Sequence, residues 1–389
     1  MKDKLPPENT LKPHNMRKDV VAVDLFCGVG GKTRGFIDAG IPVVAGIDVD
    51  EKCAYSYQFN NPGAIFVNKG VEELSKAELE NFYPENAIKV LIGCAPCQPF
   101  SSYSFRYGAA KSTSRKGDDR WGLLYAFRDR ILDLLPEIVT AENVPEIFRL
   151  NHLVYRRFVK DLIANGYSVS QGIVKCADYG VPQTRERLVL LASRLGPISM
   201  IAPTHAPENY VTVRDAIGKL PKIEAGAIPK RRDALHRSSR LSDLNMERIK
   251  ATAEGGGWRD WQDELKLDCH KRASGATYPS VYGRMNWDEL APTITTQCFG
   301  LGNGRFGHPK QNRAISLREA ALLQTFPSEY QFVAPDEKVT FKNIGRHIGN
   351  AVPPALGRAI ALSILRHLEE VAQQPPNTHD LKRSSQRNQ

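Results

Sequence analysis

The 389-residue sequence predicts an α/β fold: a doubly wound parallel sheet followed by a smaller, irregular domain. Three observations predict it. Short apolar runs rich in β-branched residues alternate with helical patterns from Val20 to Ala192. A glycine-rich turn joins the first run to the first helix. After residue 194 the composition shifts to Pro, Gly and Arg, and periodicity fades.

VVAVDLF (20–26) is apolar throughout, as a strand covered on both faces must be. It ends in Cys27-Gly28-Val29-Gly30-Gly31, and a helical pattern runs from Thr33 to Ala39. A second strand follows at Val43–Asp48. Further strands fit Ala64–Val67, Ile88–Gly93, Ile138–Glu142, Tyr167–Val174 and Leu188–Ala192. Helical patterns lie between them, near 50–59, 75–81, 121–135 and 151–164. SLREAALLQTFP (316–327) reads as a helix running into a turn, and Ala355–Val371 as an amphipathic helix. The division expected is a first domain at 19–194, a second at 195–335 and a return to the first at 336–371. Flexible ends are expected at 1–18 and 372–389.

Composition narrows the function. Hydrophobic residues make up 41% and charged residues 25%, which excludes collagen, coiled coil and wholesale disorder. No apolar run reaches the roughly 18 residues of a membrane span. The N-terminus has no apolar core, so no secretory signal is expected, and a cytoplasmic setting is. Lys and Arg total 53 against 43 Asp and Glu, a net +10 that favours anionic partners, nucleic acid first. Seven cysteines, spread thinly, are no disulfide scaffold. Cys94 and Cys97 have C-x-x-C spacing but no second pair nearby, so no metal is expected and thiols are left for chemistry.

Ligand chemistry gathers where the strands end. Gly28 and Gly30 fit a G-x-G-x-x-G turn, but Thr33 takes its third glycine position, so the turn alone suits nucleotide binders and ordinary tight turns equally. Asp48, ending the second strand, can take both hydroxyls of a ribose. GCAPCQPFS (93–101) places Cys97 at the same sheet edge, as an activated nucleophile or as an inert buried thiol. Glu142-Asn143-Val144 ends another strand, with Glu142 either facing the ligand edge or capping a turn. Arg185 and Arg187 point the same way on an extended segment. They can hold a phosphate or a carbonyl oxygen and fix a carboxylate, or form a surface strip with Glu186.

Taken in order, DLFCGVGG, PCQPFS, ENV, QTRER, APTITT, SLREAALLQTFP and GNAVPP resemble the signatures of the cytosine-C5 DNA methyltransferases, over about residues 20–365. The compactness is similar to that of the bacterial or phage modification enzymes. The resemblance implies a Rossmann-like S-adenosylmethionine-dependent methyltransferase domain with a smaller target-recognition domain. It implies methyl transfer to carbon 5 of a flipped-out cytosine in a specific duplex DNA sequence, through a covalent Cys97–C6 adduct. Glu142 would hold ring N3 and the exocyclic amine. Arg187 would bind O2, and Arg185 would support Cys97 or a phosphate.

For S-adenosylmethionine, the resemblance implies Phe26 on adenosine and Gly28, Val29 and Gly31 along methionine. It implies Asp48 on the ribose and Val49 on the adenine face. Pro96, Leu123, Asn350 and Ala351 would close the site. For DNA it implies Gln98 beside the nucleophile and Ser101, Arg106, Arg115, Lys116 and Arg120 on a mobile loop, 101–120, whose basic charge meets phosphates. The partners implied are double-stranded DNA and a restriction endonuclease acting on the same site, with a monomeric enzyme and no membrane. One departure stands out. The family commonly has Asp after the third strand to accept from the adenine amine, where this chain has Gly70, with Asn68 and Glu72 as alternatives. On that reading, Gly70→Asp is expected to tighten cofactor binding. A tRNA cytosine methyltransferase and a catalytically silent DNA-binding homologue are the alternatives.

Overall fold

The computed structural model describes residues 19–96, 122–150, 152–227, 233–272 and 278–373. A seven-stranded sheet organises the first half. In chain order its elements are β1 (Val20–Leu25), α1 (Gly31–Ala39), β2 (Val43–Asp48), α2 (Ala54–Asn60), β3 (Ile65–Asn68), α3 (Lys76–Asn81), β4 (Ile88–Gly93), α4 (Gly122–Leu134), β5 (Ile138–Asn143), α5 (Glu146–Arg149), α6 (Leu153–Ala164), β6 (Ser168–Lys175) and β7 (Glu186–Ser193). The strand order is β3-β2-β1-β4-β5-β7-β6. The chain moves outward from β1 through β2 to β3, then crosses back to lay β4 on the other side of β1. That reversal opens a crevice at the carboxyl ends of β1 and β4, where open α/β sheets bind ligands.

The sheet is mixed, which corrects the all-parallel expectation. β7 runs antiparallel to both β5 and β6. The physical reason is the short link between β6 and β7, only Cys176–Arg185. A parallel crossover needs a dozen or more residues.

Both faces are covered. On one, Leu79 of α3, Phe127 and Ile131 of α4 and Phe158 of α6 pack on Val23, Leu25 and Leu91. On the other, Phe36 of α1 meets Ile92, Ile138 and the last helix.

After β7 regular structure thins to α7 (Val213–Ile217), α8 (Asp243–Lys250) and α9 (Leu317–Leu323), with isolated bridges such as Arg284 to Gly307. A third apolar cluster, including Val213, Ile294, Phe306, Leu317 and Phe332, holds this part. The chain then forms α10 (Phe341–Asn350) and α11 (Pro354–Gln373). Ile344 and Ile348 of α10 join the third cluster, whereas α11 returns to the sheet against α1. The stretch Phe341–Gln373 has the length and hydropathy of a membrane span, although no such run was expected. Its apolar side is core, with Leu356, Ile360 and Ile364 fully buried.

Candidate active site

Past Leu25 the chain leaves extended conformation. Phe26 takes φ 61°, Gly28 50° and Gly30 85°. Left-handed backbone is cheap only for glycine, so the two glycines let the chain fold back into α1. Asp48, at the end of β2, braces this loop. Its Oδ2 accepts from the Gly28 amide and its Oδ1 from the Asp50 amide, each at 2.9 Å. Both oxygens are thereby aimed and retain lone pairs for a diol. Val49, next in sequence, is an apolar side chain 70% exposed. At Gly30, α1 begins with no side-chain cap. Its first amides therefore favour an anionic ligand group.

These groups line one cleft of about 760 Å³. Asp24 forms part of its floor and accepts from Thr33 Oγ1 at 2.7 Å. Burial pushes the Asp24 carboxyl up to about 6, against the pull of Thr33 and Lys32. Pro96 and the half-buried Cys94 come from the turn after β4. Burial pushes the Cys94 thiol up to about 12, so at neutral pH it is not a thiolate.

Glu142, Arg185 and Arg187 line the same cleft. Arg187 Nε lies 2.7 Å from Glu142 Oε1, as an ion pair rather than an aligned hydrogen bond. Asn143 Nδ2 donates to the Ala95 carbonyl at 3.2 Å, tying the end of β5 to the turn after β4. Arg185 is 2% exposed and donates to the carbonyls of Ile294 and Ala351. Burial, with Arg187 alongside, pulls its guanidinium down to about 9. Arg185 is thus committed to main-chain carbonyls of two later segments.

Two buried glutamines extend this stitching. Gln183 Nε2 donates to Gln324 Oε1 at 2.7 Å, and Gln324 Nε2 donates to the Ile348 carbonyl at 2.7 Å. The QTRER, LLQTF and GNAVPP segments thus meet at one point, which delivers Asn350 and Ala351 to the cleft.

Phe26, Gly28, Val29, Gly31, Asp48, Val49, Pro96, Glu142, Arg185, Arg187, Asn350 and Ala351 all line the same cleft. Leu123 does not. It sits half-buried in the first turn of α4, away from the lining. Cys97, Gln98, Ser101, Arg106, Arg115, Lys116 and Arg120 lie outside the described residues.

Sequence reasoning missed Asp50, Cys53, Arg346 and His347, which also line the cleft. Asp50 Oδ2 lies 2.6 Å from Arg346 Nη2 and 3.1 Å from His347 Nε2. This clasp fastens α10 across the cleft to the exit of β2. Cys53 brings a thiol within 4.8 Å of the same carboxylate and imidazole, a set that could hold a metal ion. Arg346 already neutralises that carboxylate, and burial holds the His347 imidazole below its ordinary value. The residues are nearly 300 positions apart, so no spacing could have revealed the clasp. At Gly70, a Cβ would stand 2.9–3.1 Å from the Glu72 carboxyl group. Acidic oxygen is therefore already present at this point, supplied from two residues further on.

A sheet with a topological switch, a ribose-type carboxylate, an uncapped helix start and a Glu–Arg pair define an α/β enzyme that binds a nucleoside-bearing cofactor beside a charged reaction site. The model of the C-5 cytosine-specific DNA methylase family matches residues 20–366, and the chain belongs to that family. The type II methylase M.HgiDII of Herpetosiphon aurantiacus is 53% identical over 89% of this chain and 95% of its own length. The type II methyltransferase M1.HphI of Haemophilus parahaemolyticus is 30% identical over 88% and 86%.

Among solved structures, a prophage-encoded Escherichia coli protein described as a DNA modification methyltransferase superposes with a TM-score of 0.69. It is 23% identical, over 90% of this chain and 99% of that one. At that identity the match speaks for the fold, a Rossmann-like methyltransferase fold. The family reaction is methyl transfer from S-adenosylmethionine to carbon 5 of cytosine in DNA.

Proposed function

We propose that the chain methylates a cytosine flipped out of a specific duplex sequence, with Cys97 as nucleophile and Glu142 and Arg187 holding the base. The observation that carries this reading is the Glu142–Arg187 pair at 2.7 Å, lining the same cleft as the ribose-type carboxylate of Asp48. Carbon 5 of cytosine is too weak a nucleophile to be methylated unaided. Addition of the Cys97 thiolate to C6 makes the C6–S bond and moves electron density toward C5. Glu142 hydrogen-bonds N3 and the exocyclic amine. Arg187 donates toward O2, where charge develops. Carbon 5 then takes the methyl, loses its proton to a base, and the C6–S bond breaks to release Cys97.

S-adenosylmethionine supplies the activated methyl group when bound. The residues present fit it. Asp48 suits the ribose hydroxyls, Val49 and Phe26 suit the adenine ring, and the α1 amides suit the methionine carboxylate. Residues 195–335 form the target-recognition domain on this reading. The enzyme is a cytoplasmic monomer, paired in its host with a restriction endonuclease for the same site.

Duplex DNA substituted with 5-fluorocytosine tests it, because fluorine at C5 cannot leave as a proton. With S-adenosylmethionine present, the chain should form an adduct stable to denaturing electrophoresis. Cys97→Ser should form none, and Glu142→Gln should form it about 10²–10⁴ times more slowly. An undiminished adduct with Cys97→Ser would contradict the assignment. Capture of substituted tRNA in place of DNA would favour the RNA alternative.

A further inference from the structure

We propose that Tyr330 is a positioning residue for the cofactor: its phenol pins the Val29 carbonyl and so holds the glycine-rich loop in its binding shape. The inference rests on S-adenosylmethionine occupying this cleft. Tyr330 lies some 300 residues from the loop, and its hydroxyl donates to the Val29 carbonyl at 2.5 Å in a fully buried setting. Ring packing alone does not call for that hydroxyl. Tyr330 packs at a tilt against Phe326 and Phe332, at 4.7 and 5.3 Å between ring centres, where phenylalanine would serve equally well.

The hydroxyl accepts a long bond from Asn61 Nδ2 at 3.4 Å, and its donated bond controls one peptide. The Val29–Gly30 peptide has its carbonyl fixed by Tyr330 and its amide by the Cys27 carbonyl at 2.9 Å. It immediately precedes the uncapped amides of α1. It also lies between two left-handed glycines in a loop where Phe26 carries strain. A loop of this kind keeps its shape only if the surroundings over-determine it. Tyr330 is itself held rigid. Its carbonyl accepts from Arg318 Nη1 at 3.0 Å, and Arg318 is paired with Asp233 at 2.6 Å. The next residue, Gln331, exchanges two hydrogen bonds with the Asn60 side chain, at 2.7 and 2.9 Å. Burial pushes the phenol well above its ordinary value, so it remains a donor throughout the working pH range.

The test is calorimetric titration of the full chain with S-adenosylhomocysteine, alongside binding of duplex DNA without cofactor. Tyr330→Phe keeps the ring and removes the donor. Its Kd for S-adenosylhomocysteine should rise about five- to tenfold, the worth of one buried hydrogen bond. DNA affinity should stay within twofold of the parent. A Kd within twofold of the parent overturns the role, whatever happens to the melting temperature. So does a parallel loss of DNA affinity, which would indicate general loosening. If the phenylalanine chain does not fold, 3-fluorotyrosine at position 330 decides: the stronger donor should tighten S-adenosylhomocysteine binding, and an unchanged Kd overturns the role. Failure of the parent chain to bind S-adenosylhomocysteine would sink the cofactor reading itself, independently of Tyr330.

Discussion

The two halves of this molecule are held together by different forces. From Val20 to Ser193 the backbone satisfies itself in a sheet, and fully buried aliphatic residues cover both faces. Between Val213 and Phe332 there is little regular structure to pair backbone groups, yet buried carbonyls must still find donors. Arginines supply them. Arg284 alone donates to the carbonyls of Ile249, Thr252, His308 and Gln311. Arg305 donates to the carbonyls of Gly255, Gly256 and Arg284. Arg313 and Glu319 form a bidentate pair with both bonds at 2.7 Å, and both residues are buried.

Formal charge therefore means different things in the two places. The segment 194–289 carries 16 Lys and Arg against 13 Asp and Glu, which in sequence looks like charge available for DNA. Arg248 and Arg284 of that set are buried and committed to carbonyls. Trp258 and Trp261 are buried as well.

The sharpest way to break the contrast is to unpair one arginine. Arg313→Met strands Glu319 as a buried charge and should cost about 3–5 kcal/mol in urea unfolding. Ile92→Val in the sheet core should cost only about 1 kcal/mol. Equal costs would erase the distinction.

A smaller effect is expected with pH. His308 Nδ1 accepts from the amides of Lys310 and Gln311, an arrangement for the neutral ring. Burial pulls this histidine down from 6.5 to about 4, despite the nearby Glu319. Its folded value is depressed, so its stabilising contribution is complete above pH 6.5 and is lost as pH falls toward 4. The loss should be on the order of 3 kcal/mol. His308→Asn should flatten that slope, and an unchanged slope would assign it to other groups. The smallest effect concerns Gly70→Asp. With the Glu72 carboxyl group already at that point, a second carboxylate should give no tighter binding of S-adenosylhomocysteine, against the sequence-based expectation. A gain would show that Glu72 moves aside.

This difference between halves also explains what could be read in advance. Strands announce themselves through runs such as VVAVDL, and all seven lie within about two residues of their sequence-based limits. Strand direction does not appear in an apolar pattern, so the antiparallel β7 was missed, although the ten-residue link before it was the available clue. Asp48, Glu142 and Arg187 were legible because each sits at a strand end. The Asp50–His347 clasp and the Tyr330 anchor were not, because each joins residues about 300 apart. The arginine bonds have no period at all, which is why the second half read only as irregular.

The most direct test of the functional account is bisulfite sequencing of plasmid DNA from cells expressing the chain, alongside Cys97→Ser. Cytosines should be protected at one short recurring sequence with the parent chain, and none with the variant. Full conversion of every cytosine with the parent chain, or protection that survives Cys97→Ser, would contradict it.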